Sequence, residues 1–427
     1  MKILYVCHRI PYPPHKGEKI RSFHQVRHLA RRHEVHLFAL ADRRADLAYA
    51  DRLRAFCRTV EVVYLSPRRA RLRALAALPF PAPVTLAYFE SAELRRRIRR
   101  AAEASRFDVA VAYSSSMVPY ILDLDLPRVV DFVDLDSQKW LQYAASSAPP
   151  RRWIYRLEGR RLFAFERRTA EEVEAVIVVT AEEGRVLRER GAPRRLEAVP
   201  LGVDLEFYRP EGEPAPELAR DPRPTLVFVG FMAYRPNYEA VLRIARRILP
   251  RIAREVPRVR FAVVGASPPR AVRSLHDGER IVVTGRVEDT RPYLRAASAA
   301  LLPLELGRGI QTKVLEAMAM AVPVVISEQA ARGVEASGGR HWRVIRSDEE
   351  AAREVVRLLL DPAEAAALGA AGRRFVEEHY RWEDKLDRYE RILREVAAGK
   401  ASKKGPGPSI REERDRTSRS PSTGRDR

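Results

Sequence analysis

The sequence predicts an α/β protein made of two doubly wound parallel-sheet domains in succession. Three observations lead there. Short apolar runs alternate with helical patterns along the chain; the alternation stops near Leu205 in a Pro- and acid-rich stretch, RPEGEPAPELARDPRP; it then restarts. Runs that are apolar throughout are strands buried on both faces, the condition that crossover helices impose on a parallel sheet.

In the first half the strand candidates are 3–7, 35–40, 60–65, 109–112, 129–133 and 175–179, with helical patterns at 17–31 and 93–104 between some of them. MKILYVCHRIPYPP opens the chain with an apolar core too short for a signal peptide and followed by His, Arg and Pro, so it reads as the first buried strand. In the second half the candidates are 226–229, 261–264, 281–283, 299–302, 324–326 and 344–345. A last helix, 382–398, follows Tyr380 and Arg381, and from Gly399 the chain has almost no apolar residue, which predicts a disordered basic tail. The expected division is a first domain at 1–205, a linker at 206–223, a second domain at 224–380, the final helix at 381–398 and the tail at 399–427. Ligands of such sheets bind at the carboxyl ends of the strands.

A chain of 427 residues suffices for two cores, and 46% hydrophobic with 32% charged residues is the balance of a globular protein. No apolar run approaches the ~18 residues of a membrane span. Cys7 and Cys57 have no CxxC or metal-ligand spacing, which implies reduced structural thiols and a cytoplasmic setting. The net charge of +21 comes from arginines spread through every segment. No aromatic RNP pattern, zinc-finger spacing or GXXG clamp accompanies it, so nucleic acid is not the expected partner. An anionic membrane surface is a candidate partner: the basic stretch 68–73, with Leu72, Leu75, Leu78 and Phe80, suits an interface with its arginines outward. A solvated surface helix explains the same residues equally well.

The most informative stretch is 298–326, SAALLPLELGRGIQTKVLEAMAMAVPVVI. An apolar strand ends at Pro303–Leu304 and enters a turn with Gly307 and Gly309; a helix opens near Gln311, carries Lys313 and Glu316, and yields at Val322 and Pro323 to another strand. Glycines at such a turn let backbone approach a ligand, and first-turn N–H groups form an anion site. Lys313 adds a point charge suited to a diphosphate, and Glu316, one turn on, leans back toward the same ligand. A solvated Lys and Glu on an ordinary strand–loop–helix unit is the plainer alternative.

LEAMAMAVPVV resembles the donor-site signature of family-4 retaining glycosyltransferases of the GT-B fold. The resemblance implies two Rossmann-like domains facing a cleft, with the last helix crossing back to the first domain. Of the family's two glutamates eight positions apart, the chain keeps the second as Glu316 and has Arg308 where the first falls; the intervening Gly-aromatic-Gly becomes Gly309-Ile310-Gln311, followed by Thr312. An arginine at 308 suits an acidic sugar or an anionic acceptor. HRIPYPPHKGEKIRS resembles the family's glycine-rich loop, with Gly17 beside the donor phosphates and acceptor and Lys19 and Arg21 on the acceptor side; Lys16 precedes the glycine. In VVDFVDLDS, Asp134 falls where many members carry a histidine near the reacting carbon, with Asp136 two residues on. PLGVD resembles the interdomain turn, with Leu201 replacing Asn. VFVGFMAYRPNYEAV resembles a phosphate-binding loop, with Phe231 at its usual Arg position and Arg235 as the available base; TGRVEDTRPYL resembles the segment whose backbone at Arg286 and Val287 meets the nucleobase.

The ordered wording of these segments is closest to the sugar transferases of PEP-CTERM/exosortase exopolysaccharide systems. The implied activity moves a sugar from a nucleotide-diphosphate donor to a hydroxyl of a cell-envelope or exopolysaccharide glycan, lipid-linked or free, with retention and with no metal or other cofactor. The implied location is the cytoplasm or the inner face of the membrane. Two alternatives share the architecture: a nucleotide-sugar epimerase, and a non-catalytic basic protein that binds membrane or polysaccharide.

Overall fold

A computed structural model describes residues 1–14, 17–305 and 309–399. Expectations that fall on Lys16, Gly307, Arg308 and the basic tail lie outside the described residues. The chain forms two compact units, one of Met1–Pro200 with the chain from Leu386 on, the other of Leu201–Lys385.

The first unit holds seven strands: β1 Lys2–Cys7, β2 Glu34–Ala41, β3 Thr59–Tyr64, β4 Val109–Tyr113, β5 Arg128–Val133, β6 Ala175–Val178 and β7 Leu196–Ala198. They run in the order β3-β2-β1-β4-β5-β6-β7, every pairing parallel. Ile3, Tyr5 and Cys7 of β1 feed one buried cluster while Leu4 and Val6 feed another. Residues alternate between the faces of a strand, so apolar side chains on both explain the unbroken runs in the sequence. The second unit repeats the plan with β8 Thr225–Val229, β9 Arg260–Val264, β10 Ile281–Gly285, β11 Ala299–Leu302, β12 Val324–Ser327 and β13 Arg343–Ile345. Its order is β10-β9-β8-β11-β12-β13, again all parallel. The order reverses beside β1 and β8, and in sheets of this class ligands usually bind at the carboxyl ends of the strands beside such a switch point.

The last helix, Trp382–Ala397, places Tyr389, Ile392, Leu393 and Val396 in the same cluster as Ile3 and Tyr5, so the chain returns to the first unit. Glu390 fastens it there, accepting from His28 Nε2 at 2.9 Å and pairing with His33 at 3.1 Å, Arg32 at 3.2 Å and Arg394 at 2.6 Å.

The stretch expected as a linker is folded onto the second unit instead. Arg291 donates to Phe207 O and lies 3.9 Å from the Phe207 ring, Arg295 donates to Arg209 O and Pro210 O, and Ala215 N–H donates to Pro292 O at 2.9 Å. Arginine side chains satisfy carbonyls that composition alone marks as solvated. Strand β7 and the long helix Arg151–Glu172 are further additions; the first is three residues long and the second lacks a clean apolar stripe. Among the described residues no helix is long and apolar enough to cross a membrane.

Candidate functional site

Each unit gathers polar side chains at the carboxyl ends of its strands. In the second unit the floor is backbone. Gly230 follows β8 and Gly265 follows β9 with φ +145°. A Cβ on Gly265 would lie 1.8 Å from Gly230 O, so only glycine fits there. Beyond β11 the described chain resumes at Gly309 with φ +63°, and Gly309 O is so close to Gly333 that a Cβ on Gly333 would stand 1.9 Å away. Ile310 is buried, and Gln311 precedes the helix Thr312–Ala319 without capping it by its side chain. The helix thus begins with backbone N–H groups available at its mouth.

That helix buries Val314, Leu315, Ala317, Met318 and Ala319, which leaves half-buried Lys313 and Glu316, three residues apart, sharing another face. Lys313 Nζ donates to Asn237 Oδ1 at 2.9 Å and Gln311 Oε1 at 3.1 Å and lies 5.7 Å from the Phe228 ring centre. Asn237 is itself held by donating from Nδ2 to Phe231 O at 2.9 Å. Burial pulls the Lys313 ammonium down to about 8, against the opposing pull of Glu316. Burial raises Glu316 from the usual carboxylate range, while Lys313 and a hydrogen bond from Tyr208 lower it. Tyr208 also meets Thr290.

The other expected residues of this unit are placed as follows. Arg235 opens the Arg235–Arg243 helix and donates from Nε to Glu239 at 2.7 Å, one turn on. Exposed Arg286 and half-buried Val287 follow β10, whose last residue, Gly285, has φ +72° and accepts from Gly265 N–H at 3.1 Å. Asn237 and Tyr208 were missed by sequence reasoning. Asn237 sits in the same helix turn as Arg235 and carried a signal; Tyr208 lies in the supposed linker and carried none.

In the first unit Gly17 begins the Gly17–Ala30 helix, with open space where a Cβ would project. Lys19 is buried, donating to Tyr12 O at 3.4 Å and lying 3.6 Å from Asp46. Arg21 corrects the expectation of an acceptor-side group. It is 1% exposed, donating to Asp131 Oδ2 at 2.9 Å and to Val199 O at 2.9 Å. Gln25 Nε2 donates to the same Asp131 oxygen at 2.7 Å, and Tyr5 Oη donates to Gln25 Oε1 at 2.6 Å. The inward side of a helix beside a central strand is where a charge is kept only when paired, and Asp131 supplies the partner.

Beyond β5, Val133 has φ +65°, an uncommon conformation for a β-branched residue, and turns the chain so that Asp134 leaves the strand end. Leu135 N–H donates to Glu183 Oε2 at 3.1 Å, holding the turn. Asp134 Oδ1 is buried with no hydrogen-bond partner among the described residues. Burial first, then the Glu183 and Asp136 carboxylates, push Asp134 up to about 7. Asp136 opens the Asp136–Ala145 helix and is raised by burial, with Lys139 opposing. Beneath that helix Glu166 accepts from Ser115 Oγ at 2.9 Å and Ser137 Oγ at 2.5 Å, tying the ends of β4 and β5 together. At the end of β1, His8 stacks on Tyr113 at 6.0 Å and edges Phe89 at 5.6 Å. Burial, then Arg9, lowers it to about 4, so the imidazole is neutral at pH 7. His8 was not singled out from the sequence, although it directly follows the first strand. The second unit thus presents an ammonium and a carboxyl group at one helix mouth, and the first a buried carboxyl with an unpaired oxygen.

Comparison with known proteins finds a family match in each half of the chain. Residues 21–207 match the family described as Glycosyltransferase Family 4, and residues 223–361 match the family described as Glycosyl transferases group 1. A GDP-mannose-dependent alpha-(1-6)-phosphatidylinositol monomannoside mannosyltransferase of Mycobacterium tuberculosis is 30% identical over 212 residues, 45% of this chain and 54% of that protein. The enzyme of the same description from Mycolicibacterium smegmatis is 27% identical over 222 residues, 48% of this chain and 57% of that protein. The chain spans about half the length of these curated relatives. Among solved structures, a sucrose-phosphate synthase from Thermosynechococcus elongatus superposes with TM-score 0.69 at 17% identity, covering 93% of this chain and 100% of that one. The Anabaena HepE protein in complex with UDP superposes with TM-score 0.66 at 14% identity, over 92% and 100%. At such identities these likenesses concern the fold.

Proposed function

We propose that this chain, a two-domain protein of the family-4 glycosyltransferases of GT-B fold, moves a sugar from a nucleotide-diphosphate donor to an acceptor hydroxyl with retention of configuration. The observation that carries the reading is the placing of Lys313 and Glu316 on one face of the Thr312–Ala319 helix at its mouth, beside close-packed glycine backbone. Diphosphate departure is the step that needs help, because charge builds on its oxygens. Lys313 and the first-turn N–H groups meet that charge from a preorganised position, with no metal needed for it. Gly309, Ile310, Gln311 and Thr312 shape the turn against the phosphates, and Glu316, oriented by Tyr208, takes the ribose hydroxyls. Arg286 and Val287 border the base. Arg235 serves as a second basic group, and Asn237 orients Lys313.

On the acceptor side, Gly17 leaves room beside the helix start, and Asp134, with Asp136 behind it, accepts a hydrogen bond from a reacting or neighbouring hydroxyl. Lys19 supports that loop through Tyr12 and Asp46. The leaving phosphate itself takes the acceptor proton in a front-face attack. The acceptor is a cell-envelope or exopolysaccharide glycan, free or lipid-linked. GDP-mannose, named for the mycobacterial relatives, is the first donor to test, and UDP-glucose the second.

The test is acceptor-dependent release of nucleoside diphosphate, with the product anomer read by NMR; an inverted anomer, or release that ignores acceptor, contradicts it. Asp134 adds a pH signature. With its proton leaving near pH 7 and the ionised form needed to accept a hydrogen bond, kcat/KM is expected to rise as pH climbs from 6 to 8. Asp134→Asn is expected to flatten that rise and lower the plateau about a hundredfold. An unchanged pH profile in the variant counts against the assignment.

A further inference from the structure

His8, which directly follows β1, is held by aromatic rings on two sides. It stacks on Tyr113 with 6.0 Å between centroids and 4° between planes, and Phe89 meets it edge-on at 5.6 Å. Both rings are themselves fixed: Tyr113 Oη donates to Glu18 O at 2.9 Å, and Phe89 O accepts from Tyr120 Oη at 2.8 Å. The imidazole is thus not free to turn toward solvent, yet its Nδ1 is buried with no hydrogen-bond partner among the described residues. Buried polar atoms are nearly always paired, so an orphan on a fixed ring marks a place where a ligand atom completes the pairing.

A second orphan stands near the first. Cys7, Tyr113 and Asp131 form one row across β1, β4 and β5, and His8 and Asp134 both lie just beyond that row, with β4 between them. Asp134 Oδ1 is likewise buried and unpartnered among the described residues. Two strand spacings separate β1 from β5 by roughly 10 Å, about the span of one sugar ring hydrogen-bonded at opposite edges. The charge of Lys139, on the Asp136–Ala145 helix, acts on both His8 and Asp134. Ser114, at the end of β4, has φ +83°, so two non-glycine residues, Ser114 and Val133, keep a left-handed backbone at these strand ends. Strain of that kind persists where the surrounding structure holds a site in shape.

The chemistry of the two groups selects the ligand. Burial, with Arg9 and Lys139 adding to it, keeps the imidazole neutral against the opposing pull of Glu18 and a Tyr113 backbone hydrogen bond. In a neutral imidazole one nitrogen donates and the other accepts, and a hydroxyl meets either because it does both. An anionic group offers acceptors only, and it would also face the Asp134 carboxyl.

We infer that His8 binds a second hydroxyl of the same acceptor sugar that meets Asp134, so that the acceptor residue is an uncharged pyranose bridging the ends of β1 and β5. The inference rests on the sugar transfer proposed for this chain. His8 is an acceptor-binding residue: it fixes the orientation of the ring and takes no proton.

The experiment follows nucleoside diphosphate release by the full chain from GDP-mannose and from UDP-glucose. Release is measured in water alone and with p-nitrophenyl mannoside, glucoside, galactoside and glucuronide as acceptors. His8→Phe keeps a ring between Tyr113 and Phe89 and removes both nitrogens, whereas His8→Gln keeps a donor and an acceptor. His8→Phe is expected to raise the acceptor KM about tenfold, to change kcat less than about threefold and to leave the slow release in water unchanged. His8→Gln is expected to recover part of the loss. The wild type is expected to use an uncharged glycoside and to use the glucuronide poorly. A histidine of purely structural role would lower release with and without acceptor together. An acceptor KM equal to wild type in both variants, an equal loss in water alone, or efficient use of the glucuronide overturns the inference and leaves sugar transfer standing. A wild type that no glycoside speeds beyond its rate in water overturns the transfer reading, and the inference with it.

Discussion

Replacing Lys313 with alanine is expected to lower turnover by about a hundred- to a thousandfold, the loss of about 3 kcal/mol that follows removal of one preorganised charge-stabilising contact. The ammonium is held by two oxygen acceptors, Asn237 Oδ1 and Gln311 Oε1, and so is aimed before any ligand arrives. The loss should appear mainly in kcat, because diphosphate charge is greatest as the bond to the sugar breaks. Lys313→Arg is expected to rescue poorly, since a planar fork does not fit a position built around a point charge. The lowered ammonium gives a second signature. A lysine that loses its proton near pH 8 loses its charge as pH rises, so kcat/KM of the wild type should fall above about pH 8. Asn237→Ala, which removes one holding partner, should produce a smaller fall in the same direction. Steady-state kinetics across pH 6 to 10 check all three statements, and a Lys313→Ala enzyme with near wild-type kcat contradicts them.

The second large effect concerns folding. Arg21→Met is expected to destabilise the first unit by about 3–5 kcal/mol, the usual result of removing one member of a buried ion pair. Asp131 is fully buried and would keep only Gln25 Nε2 and the Val133 N–H as partners. For a unit of this size the loss corresponds to a melting temperature lower by roughly 10 °C. Arg21→Met/Asp131→Asn should recover part of it, because the stranded charge goes as well. Calorimetry of the three variants reads the result directly; an unchanged melting temperature in Arg21→Met would mean that the pair contributes nothing. Val133, with its positive φ, is the residue after which Asp134 leaves the strand, so loosening Asp131 should also cost activity at temperatures below unfolding.

Much of this architecture is legible in the sequence, for a definite reason. Strands such as KILYVC and VAVAY are buried on both faces, and continuous apolar runs are hard to confuse with anything else in an alternating chain. Gly265 and Gly333 are glycines because backbone meets backbone there, at Gly230 O and Gly309 O, a requirement local sequence states openly. Lys313 and Glu316 were legible through helical spacing. Partners fixed by tertiary contact were not. Arg21 looks like any surface arginine in EKIRS, and only the fold puts Asp131, 110 residues away, against it. Tyr208 hides in a stretch whose prolines and acids read as solvent-exposed until Arg291, Arg295 and Arg373 bind its carbonyls.

The central claim is that the helix mouth at Lys313 and Glu316 holds a nucleotide-diphosphate sugar. Thermal stabilisation by a panel of UDP-, GDP- and ADP-sugars, measured on wild type and Glu316→Ala, tests it most directly. The account predicts that one nucleotide class stabilises the wild type, by about 2.7 kcal/mol at a hundredfold excess over Kd, and that Glu316→Ala loses most of that shift while melting unchanged without ligand. No shift from any nucleotide, or an equal shift in the variant, would contradict it.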